Sequence, residues 1–212
     1  MISFYEEYGK TYKNEEKFIE DVPLSNPERV KDMLPFIKSP VLDVGCSRGH
    51  DTNYFYKKGF EIEGCDISRN VLTEAKKLYH KINFFWCDFE NSPPKKKYNS
   101  ILALDIIDHV FDCDKFLKNA GNCLEDNGII ILAFPNALSL QNRIKFLFGD
   151  STYFYFFHFP HIRFFGADTI KVLLERNNFK LIKLFGYSRF PLPNKLKGVF
   201  TVIAIKKRKI NK

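Results

Sequence analysis

Apolar residues recur through the middle of this chain in short runs, each closed by an acid or a turn, with amphipathic stretches between. The first run spans about 40–44 and holds Val41-Leu42-Asp43-Val44; the second spans about 60–65 and stops at Asp66. Ile82–Cys87, Ser100–Leu104 and Ile129–Phe134 are three more. Ser100–Leu104 is apolar without alternation, as a strand covered on both faces should be. Helical periodicity fills the gaps at about 50–58, at Asn70–Tyr79 behind Ser68 as N-cap, and at about Cys113–Cys123. Asn127-Gly128 turns into the fifth strand. Strands alternating with helices predict a parallel sheet with right-handed crossovers.

After Pro135-Asn136 the rhythm changes. Ala137–Phe148 predicts an amphipathic helix and Tyr153–Phe165 is densely aromatic, so 137–166 reads as a lid-like insertion. A helix at Ala167–Asn177 leads to a sixth strand, Lys180–Tyr187. About ten residues without helical pattern join it to the last strand, Gly198–Lys206, a connection that suits an antiparallel hairpin. Before the first strand, residues 1–39 read as two helical pieces. Asn26-Pro27-Glu28-Arg29 opens the second, with a polar cap and Pro in the first turn. No repeat or linker divides the chain, so 1–212 is expected to be one domain with a sizeable core.

Composition narrows the classes. Five cysteines lie scattered without a C-x-x-C pair, which argues against a disulfide framework or structural zinc and suits a reducing cytoplasm. The first residues mix acids and bases without the apolar core of a signal peptide, and no apolar run reaches bilayer length. Net charge is +8. Much of it sits in Lys95-Lys96-Lys97 and in Lys206-Lys207-Arg208-Lys209. Such a balance leaves nucleic acid or a membrane surface open as partners, although neither cluster has interleaved aromatics.

The chemistry concentrates in Val41-Leu42-Asp43-Val44-Gly45-Cys46-Ser47-Arg48-Gly49. This is a strand, a glycine-bracketed loop and a helix start, followed by a second strand ending in Asp66. That order is the first half of a nucleotide-binding α/β unit, with an acid placed to take both ribose hydroxyls. The loop is G-x-x-x-G rather than G-x-G-x-x-G, and Asp43 would oppose a pyrophosphate. A ligand without phosphate and with a cationic amino-acid end suits it better. Here the sequence resembles the class I S-adenosylmethionine-dependent methyltransferases. The resemblance implies an α/β fold with a doubly wound, seven-stranded, mostly parallel sheet and an antiparallel last strand. It implies S-adenosylmethionine as cofactor and S-adenosylhomocysteine as product.

Ligands of open α/β sheets bind beyond the carboxyl ends of the strands. That rule and the resemblance assign the cofactor to Asp43, Gly45, Ser47, Gly49, Asp66, Ile67, Asp88, Phe89 and Leu104. Ile67 and Phe89 would pack on adenine, Asp88 would accept from its amino group, and Leu104 would wall the ligand. Asp105-Ile106-Ile107-Asp108-His109-Val110 resembles the E-x-x-E-H-V segment of ubiquinone-biosynthesis-type O-methyltransferases, and Asn26-Pro27-Glu28-Arg29 their N-P-x-R segment. In that group the arginine meets the methionine carboxylate, a role that falls to Arg29. Pro160-His161-Ile162-Arg163-Phe164-Phe165 resembles a segment of methyltransferases found with glycan-assembly genes and points to His161, Arg163 and Asn136 as substrate contacts. His158 and His161 serve equally well to order the aromatic segment. His109, with Asp105, is the catalytic candidate. His109 reads as a general base, as a metal ligand with Asp105 and Asp108, or as a structural residue.

The reading is a methyltransferase acting on a small-molecule or glycan hydroxyl. Two rivals stand beside it. One is an RNA methyltransferase, which the charge favours but which lacks an N-P-P-[YF] motif after strand four. The other is a catalytically silent accessory protein of methionine-biosynthesis type. Oligomeric state is not legible.

Overall fold

The computed structural model describes residues 27–150, 162–188 and 191–208. Its elements in chain order are α1 (Pro27–Met33), β1 (Val41–Val44), α2 (His50–Lys57), β2 (Ile62–Asp66), α3 (Arg69–Leu78), β3 (Asn83–Trp86), β4 (Tyr98–Leu104), α4 (Cys113–Cys123), β5 (Leu124–Pro135), α5 (Leu140–Leu147), α6 (Ala167–Arg176), β6 (Phe179–Tyr187) and β7 (Val199–Lys206). The seven strands form one sheet in the order β3-β2-β1-β4-β5-β7-β6. β1, β2, β3, β4 and β5 pair in parallel, while β7 runs antiparallel to both β5 and β6. The fold is therefore α/β, doubly wound and mostly parallel, with an antiparallel last strand. The first of the two expected N-terminal helical pieces lies outside the described residues, as does most of the aromatic stretch.

Burial explains the continuous apolar runs. All four residues of β1 are buried, and Ile129 to Phe134 of β5 are buried without a break. Helices cover both faces, so neither face can be polar. α4 offers Phe116, Leu117 and Ala120 to one side of the sheet, and α1 offers Val30 and Met33 to the other. Val, Leu, Met and Phe side chains contribute about 2 kcal/mol each when fully buried. Local chemistry sets the ends. Asp112 caps α4 by accepting from the Lys115 N–H at 2.9 Å, and Ser139 caps α5 by accepting from the Asn142 N–H at 3.3 Å.

β5 begins earlier than its apolar pattern. Tyr98 of β4 faces Leu124, while Ser100 faces Ile129, so residues 125–128 loop out of the ladder with Asn127 at φ 60°. The Asn-Gly turn exists, folded into the strand as an irregularity.

Two buried polar residues lock the carboxyl edge of the sheet. Asn136, 1% exposed, donates to the carbonyls of Lys195 and Lys197 and accepts from the Leu138 N–H. Its backbone donates to Gly198 and its carbonyl accepts from the Asn142 amide. It binds the end of β5 to the approach of β7. Asp43, 3% exposed in the middle of β1, accepts from the Thr52 hydroxyl of α2 at 2.6 Å.

Asn136→Ala should leave these buried carbonyls and the Leu138 N–H unmet and lower stability by about 1–3 kcal/mol. Urea unfolding with an unchanged m-value measures it, and a wild-type midpoint would contradict the locking role. A second prediction concerns pH. Burial pushes the Asp43 carboxyl up to about 7, against the hydrogen bond from Thr52 and helped by Asp51 and Asp66. Below pH 4 both folded and unfolded chains hold the proton, and between about 4 and 7 only the folded one does. Stability through this residue therefore falls as pH rises across that window, on the order of 4 kcal/mol in all. Asp43→Asn should flatten the stability profile between pH 4 and 7; an unchanged slope would refute the assignment.

Candidate active site

The strand order reverses between β1 and β4, with β2 and β3 to one side and β5, β7 and β6 to the other. Two loops leave the carboxyl ends of these strands side by side, Gly45–Gly49 after β1 and Asp105–His109 after β4. This is the crevice where open α/β sheets bind ligands.

The first loop needs left-handed backbone at three places. Gly45, Ser47 and Gly49 have φ of 75°, 49° and 78°. Its N–H groups are already directed: Gly45 and Cys46 donate to the Cys65 carbonyl, and Ser47 donates to Asp66 Oδ2 at 2.9 Å. Ser68 donates to the other Asp66 oxygen at 2.8 Å. The acid at the end of β2 is thus oriented from both sides, by the glycine loop and by the start of α3.

The second loop closes against the first. A Cβ on Gly45 would lie 2.2 Å from Cδ1 of Ile106, so the missing side chain makes room for a residue of the other loop. A Cβ on Gly49 would meet the Phe84 ring at 2.5 Å. Asp105 has φ 55°, and its N–H donates to the Ala133 carbonyl of β5. Its two carboxylate oxygens take Nη1 and Nη2 of Arg29 at 3.3 and 2.9 Å. Arg29 and Asp105, 76 residues apart, become one unit. Residues Ile107–His109 form a short 3-10 turn. His109 Nε2 lies 3.7 Å from Oδ2 of the buried Asp108. The Asp108 carbonyl accepts from the N–H groups of Ile162 and Arg163, and the Arg163 guanidinium donates to the Phe111 carbonyl.

The predicted residues divide. Ser47 and Asp66 meet, Arg29 and Asp105 meet, and Gly45, Gly49 and Leu104 border the same crevice. Ile67 follows β2, its carbonyl accepting from Trp86 Nε1 at 2.8 Å while Arg69 lies 4.7 Å over the Trp86 ring. Asp43 points to Thr52, so it supports the loop from below. Asp88 caps its own turn through the N–H and amide of Asn91. Phe89 is 6% exposed with its ring 5.0 Å from that of Phe116, which places it in the core instead of over an adenine ring. Asn136 spends its amide on the 195–198 segment, and Arg163 straps its segment to Phe111; both hold structure where a substrate contact was expected. His158 and His161 lie outside the described residues. Asp105, Asp108 and His109 do not converge: among the described residues no three His, Cys, Asp or Glu side chains gather as a metal would need.

Three residues escaped the sequence. Ile106, Thr52 and Trp86 shape the site through contacts that no periodicity encodes. A cleft of about 750 Å³ also opens between α4 and α6, lined by Phe111, Asp114, Arg163 and Val172 among others, and it includes no residue of the cofactor set. The cysteines are bystanders. Burial raises the Cys46 and Cys113 thiols and pushes that of Cys123 up to about 11, and a hydrogen bond with Cys87 plus burial raises Cys65. None of these four has thiolate character at neutral pH.

The donor set suits an adenosyl amino acid. Asp66, at the rim, could take a ribose diol, and Arg29, a buried guanidinium, could take a carboxylate.

A methyltransferase-domain family model matches residues 18–184. The ubiquinone biosynthesis O-methyltransferase of Pelagibacter ubique (strain HTCC1062) is 29% identical over 126 residues, 57% of this chain and 50% of that protein. That of Rickettsia prowazekii (strain Madrid E) is 32% identical over 118 residues, 53% of this chain and 44% of that protein. The chain spans about half the length of these curated relatives. Among solved structures, magnesium protoporphyrin IX methyltransferase from Synechocystis PCC 6803, with bound SAH, aligns at TM-score 0.61 and 18% identity over 79% of this chain and 74% of that one. An S-adenosylmethionine-dependent methyltransferase from Clostridium acetobutylicum ATCC 824 aligns at 0.67 and 14% over 87% and 93%. These two share the fold. The family model spans most of the chain and the glycine loop, Asp66 and the reversal between β1 and β4 all lie within it, so the chain belongs to the class I S-adenosylmethionine-dependent methyltransferases.

Proposed function

We propose that this protein methylates a hydroxyl of a small molecule, free or carried on a glycan, with His109 as the proton acceptor. The observation that carries this reading is the Asp108–His109 pair. A partly exposed imidazole stands 3.7 Å from a buried carboxylate, on the turn beside the cofactor loop. A hydroxyl becomes a competent nucleophile as it loses its proton, and an imidazole is matched to that task near neutral pH. Asp108 favours the imidazolium that forms. The curated relatives named above are O-methyltransferases, which supports the same choice.

The roles follow from placement. Asp66, oriented by Ser47 and Ser68, holds the ribose hydroxyls. Arg29 holds the carboxylate of the amino-acid end. Ile67 lies beside the nucleoside base. The cofactor, when bound, supplies an electrophilic methyl on its sulfonium. The loop after β4 then aligns the acceptor oxygen, and alignment accounts for much of the rate in such transfers. Asp105 is engaged with Arg29 and takes no part in proton transfer. Ile162 and Arg163, stitched to the Asp108 carbonyl, keep the His109 turn in place.

Calorimetry should show S-adenosylhomocysteine binding at micromolar order. Asp66→Ala should weaken it at least tenfold, since charge-assisted hydrogen bonds are each worth roughly 1.5–3 kcal/mol. Wild-type affinity in that variant would remove Asp66 from the site. Label transfer from methyl-tritiated cofactor should appear in one or more of a panel of phenols, catechols and hydroxylated sugars, and not in RNA. On the acceptor so found, His109→Ala should slow transfer about 10²–10⁴-fold with cofactor affinity unchanged. The wild-type rate should fall at acid pH as the imidazole takes up a proton, and chelators should have no effect. Label in RNA alone would overturn the substrate class, and an unimpaired His109→Ala enzyme would overturn the base.

A further inference from the structure

We propose that Asp105 is a positioning residue: by gripping both Nη atoms of Arg29 it fixes the guanidinium that takes the carboxylate of the cofactor's amino-acid end, and so sets a preference for nucleosides that carry an amino acid. The proposal rests on the reading that the crevice between β1 and β4 holds S-adenosylmethionine.

The geometry separates this role from catalysis. Both oxygens of Asp105 are engaged, at 3.3 and 2.9 Å, with the two terminal nitrogens of one guanidinium. A planar fork on a carboxylate fixes the orientation of the whole group, which a point contact would not. The fork is worth fixing because Arg29 is carried on α1, a seven-residue helix, and its side chain is 8% exposed. Asp32, three residues further along α1, accepts from the Tyr187 hydroxyl at 2.9 Å. Asp105 is itself held. Its N–H is tied to Ala133 of β5, and its φ of 55° is a conformation that Asp and Asn adopt far more readily than most residues. The neighbouring Ile106 fills the space over Gly45. Two successive residues therefore determine the two borders of the amino-acid subsite, one through Arg29 and one through Gly45. A base or metal ligand at 105 would need a carboxylate turned away from Arg29.

Asparagine at 105 keeps the size and the left-handed backbone and removes the charge. Binding of S-adenosylhomocysteine and of 5′-methylthioadenosine, which lacks the amino-acid end, should be measured by calorimetry on the full chain. Wild type should prefer S-adenosylhomocysteine. Asp105→Asn should weaken that ligand about tenfold or more and leave methylthioadenosine unchanged. Arg29→Lys should do the same, and the double variant should be little worse than either single one. Equal weakening of both nucleosides would make Asp105 merely structural and overturn the proposal. Unchanged binding would also overturn it. Tighter S-adenosylhomocysteine binding in Asp105→Asn would show Asp105 competing with the ligand for Arg29, the opposite of positioning. Wild-type protein that binds neither nucleoside would overturn the cofactor reading and this proposal with it.

Discussion

The contact between Gly45 and Ile106 is the constraint from which the site is built. The loop after β1 and the loop after β4 belong to strands that are neighbours because the strand order reverses between them. They can approach closely because position 45 has no Cβ: one placed there would sit 2.2 Å from Ile106. The same position has φ 75°, so two separate physical demands fall on one residue. With the loops in contact, Ser47 reaches Asp66 and Asp105 reaches Arg29. Each of the recognition groups then has its direction set before any ligand arrives, which is where rigid sites gain over flexible ones.

The acids of the crevice have different environments and therefore different work. Asp43 is buried in β1 and its carboxyl is pushed up to about 7, a cost borne inside the sheet to anchor α2 through Thr52. Asp66 accepts from two backbone N–H groups and stays at the rim. Asp105 is matched to a guanidinium, and Asp108 is buried next to an imidazole. Four carboxylates close together would repel if all were alike and unpaired. Here Asp43, Asp66 and Asp105 each face their own donor, and Asp108 lies 3.7 Å from an imidazole nitrogen.

The fold was legible because its strands are covered on both faces. That geometry writes unbroken apolar runs such as Ser100–Leu104 and Ile129–Phe134 into the chain, and short caps such as Asp112 mark where helices begin. β5 extended further than its pattern because Leu124 pairs with Tyr98 across a looped-out stretch, and pairing leaves no trace in hydropathy. At the site, Gly45, Ser47 and Asp66 were readable because a local motif fixes their spacing. Phe89 was misread because an aromatic at a strand end can face the crevice or the core, and only Phe116 across the interior decides. Asn136 and Arg163 looked like polar groups awaiting a substrate; the carbonyls they satisfy come from segments 59 and 52 residues away. The Arg29–Asp105 pair was invisible for the same reason. Both residues were singled out, but their partnership joins positions 76 residues apart.

The location of charge bears on the choice of acceptor. A net charge of +8 invites a nucleic-acid reading only if the cations line the face where chemistry occurs. Lys96 and Lys97 precede β4 and are spent on Glu63 and on the Asn122 carbonyl. Lys206 ends β7, which runs antiparallel, and donates to the Leu124 carbonyl at the start of β5. All three therefore sit at the amino ends of the parallel strands. The crevice opens at the carboxyl ends, where Asp43, Asp66, Asp105 and Asp108 gather. The sheet thus separates Lys96, Lys97 and Lys206 from the crevice by the length of its strands.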